Sequence, residues 1–358
     1  MVNELIFSVY GHCTSIPIAI LNEPLLGSFF RNLLFKARKG LSAKDLDKVI
    51  SLKDVENILD VYIRLGVLSK ENYFFKSIIP ILDKEEKKPF MEKASSIADI
   101  IVKYISRHLR ELISIYKRTS LPKQGFSWND LSFTIIGGIL LDQHLFKVLH
   151  EKQVVPPPPS RPDGGSWYLW CLENGTGSRY EYWVNIISSP LGGCGSIWIR
   201  GFRREYVHIY GELLRISALL AEGPKTLDEI AYETNLPFDF IGDIAKKFIS
   251  LNLFRKENGK LKVNFPVFLR RDMEIMFSSA RRLSREIVES ILRRQLIRVL
   301  RMKYRYGYTH VDDASFTIMI CQAIKHYSIE KLIELKVLPD PPNPIPANWG
   351  FWIWCSFK

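Results

Sequence analysis

The side chains of this 358-residue chain best placed to do chemistry are arginines, tryptophans and cysteines. Between Arg270 and Arg305 lie eleven basic residues, among them Arg281, Arg282, Arg285, Arg293, Arg294 and Arg298. Only Asp272, Glu274, Glu286 and Glu289 oppose them, leaving a local net charge of +7. Guanidinium groups strung along one helix would track phosphates, contacts that position a protein on nucleic acid without reading its sequence. The competing reading is a solvated helix face whose arginines pair with acidic residues elsewhere. Smaller basic groups, Lys70 and Lys76 in one place and Arg255, Lys256, Lys260 and Lys262 in another, sit in short segments that read as β-hairpins. Lys246 and Lys247 close a helical segment just before the second of these.

Trp167, Trp170, Trp183, Trp198, Trp352 and Trp354 could line an aromatic pocket for a flat or cationic ligand. Aromatics at strand spacing also build cores, and that reading stands beside the pocket. Cys171 with Cys194, and Cys13 with Cys355, occupy matching places in two halves of the chain. Each pair could form a disulfide, hold a metal, or be two small buried hydrophobes. Five cysteines in 358 residues do not make a disulfide framework. No His-Glu-x-x-His, Gly-x-Ser-x-Gly or Cys-x-x-Cys pattern occurs, and the seven histidines are scattered. The expectation is therefore a binding protein, without catalytic residues, metal or cofactor. Gly192-Gly193-Cys194-Gly195-Ser196 lacks the Lys of a phosphate-binding loop and reads as a glycine-rich hairpin. Pro156 to Pro159 reads as a rigid connector, with a polyproline ligand as the other option.

The composition is that of an ordinary folded protein, 47% hydrophobic and 25% charged. A net charge of +12 favours polyanionic partners. The apolar run near Phe133 to Leu141 is short of the ~20 residues that span a bilayer. With no basic leader before an apolar core, a cytoplasmic protein without a membrane partner is expected.

The chain repeats itself. Ser132-Phe133-Thr134-Ile135 recurs as Ser315-Phe316-Thr317-Ile318, and Trp167 to Cys171 as Phe351 to Cys355. Leu68 to Asn72 recurs as Phe254 to Asn258, and Pro80 as Pro266, all at offsets of 183–186 residues. The first copy continues past Cys171 through strands to Ile199, whereas the second runs out at Lys358. Gly11 to Ile18 resembles the missing piece. We therefore expect N-terminal strands to complete the sheet begun by the C-terminal strand, so that one chain imitates a homodimer and acts as a pseudo-dimeric monomer.

In the second copy, helical periodicity over Tyr210 to Leu220, Leu227 to Thr234 and Phe238 to Leu251 precedes a two-strand wing turning at Asn258-Gly259. The first copy repeats this over Phe29–Ala37, Ser42–Ile50, Leu52–Leu65 and a wing around Lys70 to Ile78. An α+β class follows, a duplicated module of winged helix-turn-helix, long amphipathic helix and small Trp-rich sheet. The parts expected are 1–22 (strands completing the second sheet), 23–82 (first winged helix), 83–120 (long helix) and 121–206 (helix plus Trp-rich sheet). Then come 207–269 (second winged helix), 270–308 (long basic helix) and 309–358 (helix plus C-terminal strand).

Residues 27–82 and 210–269, with Thr-Leu-x-Glu-Ile-Ala at 226–231 and the Lys-Glu-Asn-Gly wing, resemble the winged helix-turn-helix superfamily of regulators such as the MarR and ArsR groups. That resemblance implies binding of double-stranded DNA, a transcription-regulating role and a third helix that enters the major groove. The third helices read poorly for that task, offering Lys53, Asp54, Glu56 and Asp60 in one copy and Asp239, Asp243, Lys246 and Lys247 in the other. The alternatives are a protein-interaction scaffold and a nonspecific nucleic-acid binder.

Overall fold

The computed structural model describes residues 5–12, 24–42, 55–72, 74–162, 164–201 and 211–356. It is a mixed α+β structure with several small sheets. The chain divides into two compact units that interleave along the sequence. One comprises Met1–Ala98, Leu149–Arg179 and Ile291–Tyr327; the other comprises Asp99–Val148, Tyr180–Ser290 and Ser328–Lys358.

The first unit opens with strand β1 (Leu5–His12), helix α1 (Pro24–Ala37), the two-residue strand β2 (Leu41–Ser42) and helix α2 (Val55–Arg64). A hairpin follows, β3 (Leu68–Glu71) and β4 (Phe74–Ser77), with Asn72 left-handed at its turn. Leu33, Leu34, Leu59, Tyr62, Leu68 and Phe75 close a shared core beneath helices and hairpin. Strand β5 (Ile81–Leu82) then runs parallel to β6 (Ser166–Glu173), whose other edge is covered by β1 in antiparallel register, Val9 opposite Leu169.

The second unit contains β7 (Tyr182–Ser189) and β8 (Gly192–Ile199), then helices α5 (Gly211–Ala221), α6 (Leu227–Thr234) and α7 (Phe238–Ser250). Thr226 and Glu229 close a reciprocal capping box at the start of α6, and left-handed Asn235 ends it. The apolar spacing of α7 buries Ile241, Ala245 and Phe248 against Phe254, Leu261 and Val263 of a hairpin, β9 (Phe254–Glu257) and β10 (Lys260–Val263). Asn258 and Gly259, both at positive φ, make its two-residue turn. Strand β11 (Val267–Phe268) runs parallel to the C-terminal strand β12 (Phe351–Cys355), which pairs with β8.

Four long helices complete the chain: α3 (Lys84–Lys117), α4 (Trp128–Glu151), α8 (270–305) and α9 (Asp313–Glu334). Two are not uniform. α4 widens to π-helical geometry at Thr134–His144, and α8 does so at Val288–Leu292. By length and composition α4 is also apolar enough to cross a membrane, and most of it is buried within the protein.

Strand pairing departs from the sequence expectation. The C-terminal strand is completed by β8 and β7, while the N-terminal strand joins β6. Alternating polarity identifies a half-buried strand but carries no information about its neighbour. The match between the halves also shifts. The amide of Cys171 donates to Pro80 O at 2.8 Å and that of Ile353 to Pro266 O at 3.1 Å, which sets Cys171 against Ile353 rather than Cys355. Trp170 then corresponds to Trp352. Beside the two hairpins, Ile78 N reaches Val67 O at 3.1 Å, and Asn264 N reaches Leu253 O at 2.8 Å.

Candidate nucleic-acid interface

In the second hairpin, Arg255 lies opposite Lys262 and Glu257 opposite Lys260, so these four side chains share one face. Leu261 and Lys256 share the other, where Leu261 joins the core and Lys256 stays exposed near the tip. Local carboxylates neutralise much of this charge. Arg255 pairs with Glu257 at 2.9 Å and Lys260 approaches Glu229 at 3.9 Å. Lys262 has no carboxylate partner among the described residues. Its Nζ lies close to Gly125, beside a cleft of about 270 Å³ that Arg255, Asn264 and Trp349 help to line. Lys246 pairs with Asp243 at 3.4 Å, and Lys247 is exposed.

In the first hairpin, Lys70 is exposed at the end of β3, with its Nζ 5.5 Å from the Phe75 ring centroid. Lys76 is half-buried on β4 and contributes, with burial and Lys303, to lowering the pKa of His310; a bond to the Arg38 backbone opposes them. Lys53 and Asp54 lie outside the described residues, and Asp60 is exposed on α2.

The arginines of α8 separate into two behaviours. In its first part Arg282 is engaged by Glu111 and by Glu286 at 2.5 Å. Tyr104 also donates to Glu286, at 2.5 Å. That hydroxyl and Arg282 hold the Glu286 carboxyl below its usual range against the opposing effect of burial. Arg281 and Arg285 are exposed nearby.

The last part of α8, in the first unit, is different. Arg293, Arg294, Arg298, Arg301 and Arg305 are exposed, and none has an ion pair among the described residues. Residues 294, 298, 301 and 305 recur at helical spacing and so share one face. Ile297, Tyr304 and Tyr306 accompany them at 50%, 48% and 53% exposure. Leu296 and Val299 hold the opposite side in the core. Lys303 alone turns inward, where its ammonium donates to Val311 O and to Asp313. From Ser290 to Val311 the sequence contains no Asp or Glu, and that gap is the signal from which this face could have been located. The surface is cationic and tyrosine-bearing, suited to phosphate contacts and stacking.

The remaining sequence candidates have structural roles. Trp167, Trp170, Trp352 and Trp354 are buried in the sheets, and Trp183 faces Trp198 across β7 and β8, both half-buried. Gly195 and Gly193 provide the space into which the Trp352 and Trp354 rings fit, and Gly138 of α4 backs the first of them. Cys171, Cys194, Cys321 and Cys355 are buried thiols, in no disulfide among the described residues. Cys194 sits in the same strand pair as Cys355, while Cys171 belongs to the other sheet, so the expected Cys171–Cys194 adjacency does not form. Cys13 lies outside the described residues. Among the described residues no cluster of His, Cys, Asp and Glu could hold a metal. No protein family, curated protein or solved structure matches the chain.

Proposed function

We propose that this chain is a DNA-binding protein, a transcription regulator whose two halves descend from one winged-helix module, so that a single chain supplies two such modules. The observation that carries the binding reading is the set of exposed arginines without ion pairs among the described residues at the end of α8, Arg294, Arg298, Arg301 and Arg305 on one face with Arg293 beside them. An exposed guanidinium with no carboxylate partner retains its full capacity to displace counterions from a phosphate. The duplication is supported by the matched hairpins, by left-handed Asn72 and Asn258 at their turns, and by the paired bonds to Pro80 and Pro266. Backbone tracking by the end of α8 would hold the duplex through phosphates alone.

A second reading, a protein scaffold, draws on the other end of the charge scale. Residues 226–245, covering α6 and most of α7, contain five carboxylates and no Lys or Arg. Such a face repels phosphates, and major-groove reading by α7 is not part of the proposal. The deciding experiment is equilibrium binding of a fluorescent duplex of ~25 base pairs across a salt series. Five phosphate contacts predict a slope of log K against log salt near −4.5, at about −0.9 per contact. A flat salt response, or no binding near physiological salt, would favour the scaffold.

A further inference from the structure

Two exposed faces of opposite chemistry carry charged side chains without ion-pair partners among the described residues. The first is the acidic, aromatic surface of α6 and α7. Tyr232 is 90% exposed, Phe238 49% and Phe240 42%. Asp228 and Asp239 are exposed with no partner among the described residues, and Asp243 engages only Lys246. Large aromatic rings are seldom left this open unless something covers them. The capping box leaves Asp228 free because Glu229 takes the Thr226 amide. Asp228 and Asp239 are therefore not needed to hold the helices together. The second face is the end of α8, with its five unpaired arginines, Ile297 and Tyr304.

We propose that the α6–α7 face of one copy of this chain docks onto the α8 arginine face of a second copy, forming a reversible head-to-tail association. The two surfaces complement each other in kind. Guanidinium groups bond carboxylates in forked geometry and stack on aromatic rings, and Arg and Tyr are the residues that dominate interface energetics. An apolar side chain stands within each charged field, Phe238 and Phe240 on one side and Ile297 on the other. Contact would bury these while the charges set register and orientation. The pairing is heterologous, since each face meets the other and not itself. Because the same arginines are assigned to phosphates above, association and duplex binding exclude one another at that face. The association does not depend on the nucleic-acid reading; only the competition does.

The test uses the full chain and two charge-reversed variants, Asp239→Arg with Asp243→Arg, and Arg298→Glu with Arg301→Glu. Sedimentation of each protein at ~5 to 100 µM would be compared near physiological salt, a range that captures dissociation constants of order 10 µM. Wild-type protein should associate with increasing concentration, and association should weaken in high salt. Each variant alone should lose it by tenfold or more, while an equimolar mixture should recover a 1:1 complex, since one supplies an intact α8 face and the other an intact α6–α7 face. Tyr232→Ser, which leaves the charges alone, should also weaken the wild-type association. A wild-type protein that stays monomeric throughout, or variants that associate unchanged, or a mixture that fails to recover, overturns the proposal. Adding a duplex of ~25 base pairs should dissolve the association. If association persists while DNA binds, the docking holds and the placement of DNA on α8 is wrong.

Discussion

The indole of Trp352 occupies the volume that a side chain at residue 195 would need. A Cβ built on Gly195 would approach the ring more closely than 3.0 Å, inside any real contact, and Gly138 backs the same ring from α4. The glycine-rich stretch is therefore a set of notches for tryptophans, with Gly193 serving Trp354 in the same way. Gly195→Ala must move a fully buried indole, and overpacking of this kind costs about 1–3 kcal/mol. Gly242, on α7, has nothing within 4 Å of the place where its Cβ would stand. Gly242→Ala should stabilise the protein by about 0.5–1 kcal/mol, through helix propensity alone. Urea unfolding of both variants checks the contrast. Equal effects would show that Trp352 does not rest on Gly195.

Much of this local architecture was legible in the sequence because each signal acts over a few residues. Thr226 and Glu229 at capping distance, Asn258-Gly259 at a hairpin turn, and the apolar spacing of Ile241, Ala245 and Phe248 all specify short-range geometry. What stayed hidden depends on distant partners. The exchange of β1 and β12 between sheets is invisible to alternation, which is the same for any neighbour. The two-residue shift between Cys355 and Ile353 escaped because Trp-x-x-Trp at 167 and 170 recurs at 349 and 352, while Trp-Cys recurs at 354 and 355. Counting charge along α8 found a basic helix. It did not separate Arg282, engaged by Glu111 and Glu286, from Arg298 and Arg301, which are not engaged.

That separation predicts different consequences for mutation. Arg298→Ala with Arg301→Ala should make the salt slope of duplex binding shallower by about 1.8, two contacts at about 0.9 each. Arg282→Ala should leave the slope nearly unchanged, because its guanidinium is already engaged by carboxylates. The loss should be similar for every duplex sequence, as expected of backbone contacts. Equal slopes for the two proteins would remove the end of α8 from the interface.

The thiols make a chemical prediction. Burial raises the pKa of Cys194 and Cys321 to about 12 each, and raises that of Cys171 further still. The thiolate is the reactive form, so at pH 8 these groups are both inaccessible and protonated. In native protein a thiol reagent should label Cys171, Cys194, Cys321 and Cys355 only as fast as the chain unfolds. Denaturant should release them together. Peptide mapping after a brief pulse of iodoacetamide distinguishes them from Cys13. Rapid labelling of any of the four in the native state would show that the element burying it opens without global unfolding.

Lys303 and Asp313 link the end of α8 to the start of α9, and their interaction carries a pH signature. The Lys303 side chain is 1% exposed and donates to both Val311 O and Asp313, whereas the Asp313 side chain is 48% exposed. Lys303→Met would leave the Val311 carbonyl without this donor, at a cost of about 1–3 kcal/mol. Water can solvate the half-exposed carboxylate that this variant leaves, whereas Asp313→Asn strips the buried ammonium of its counter-charge and should cost more. Burial pushes the Asp313 pKa up, but the bonds from Lys303 and Tyr304 outweigh it and hold it below the ordinary 3.8. A carboxyl with a depressed folded-state pKa contributes stability that is present above its unfolded value and is lost as pH falls through the folded one. The stability gap between wild type and Asp313→Asn should therefore be constant from neutral pH down to about pH 5. It should narrow below 3.8, as the wild-type carboxyl takes up its proton. Urea unfolding of both proteins at several pH values reads this directly. A gap that widens in acid would mean that the carboxyl is held protonated in the folded protein, contrary to its bonds with Lys303 and Tyr304.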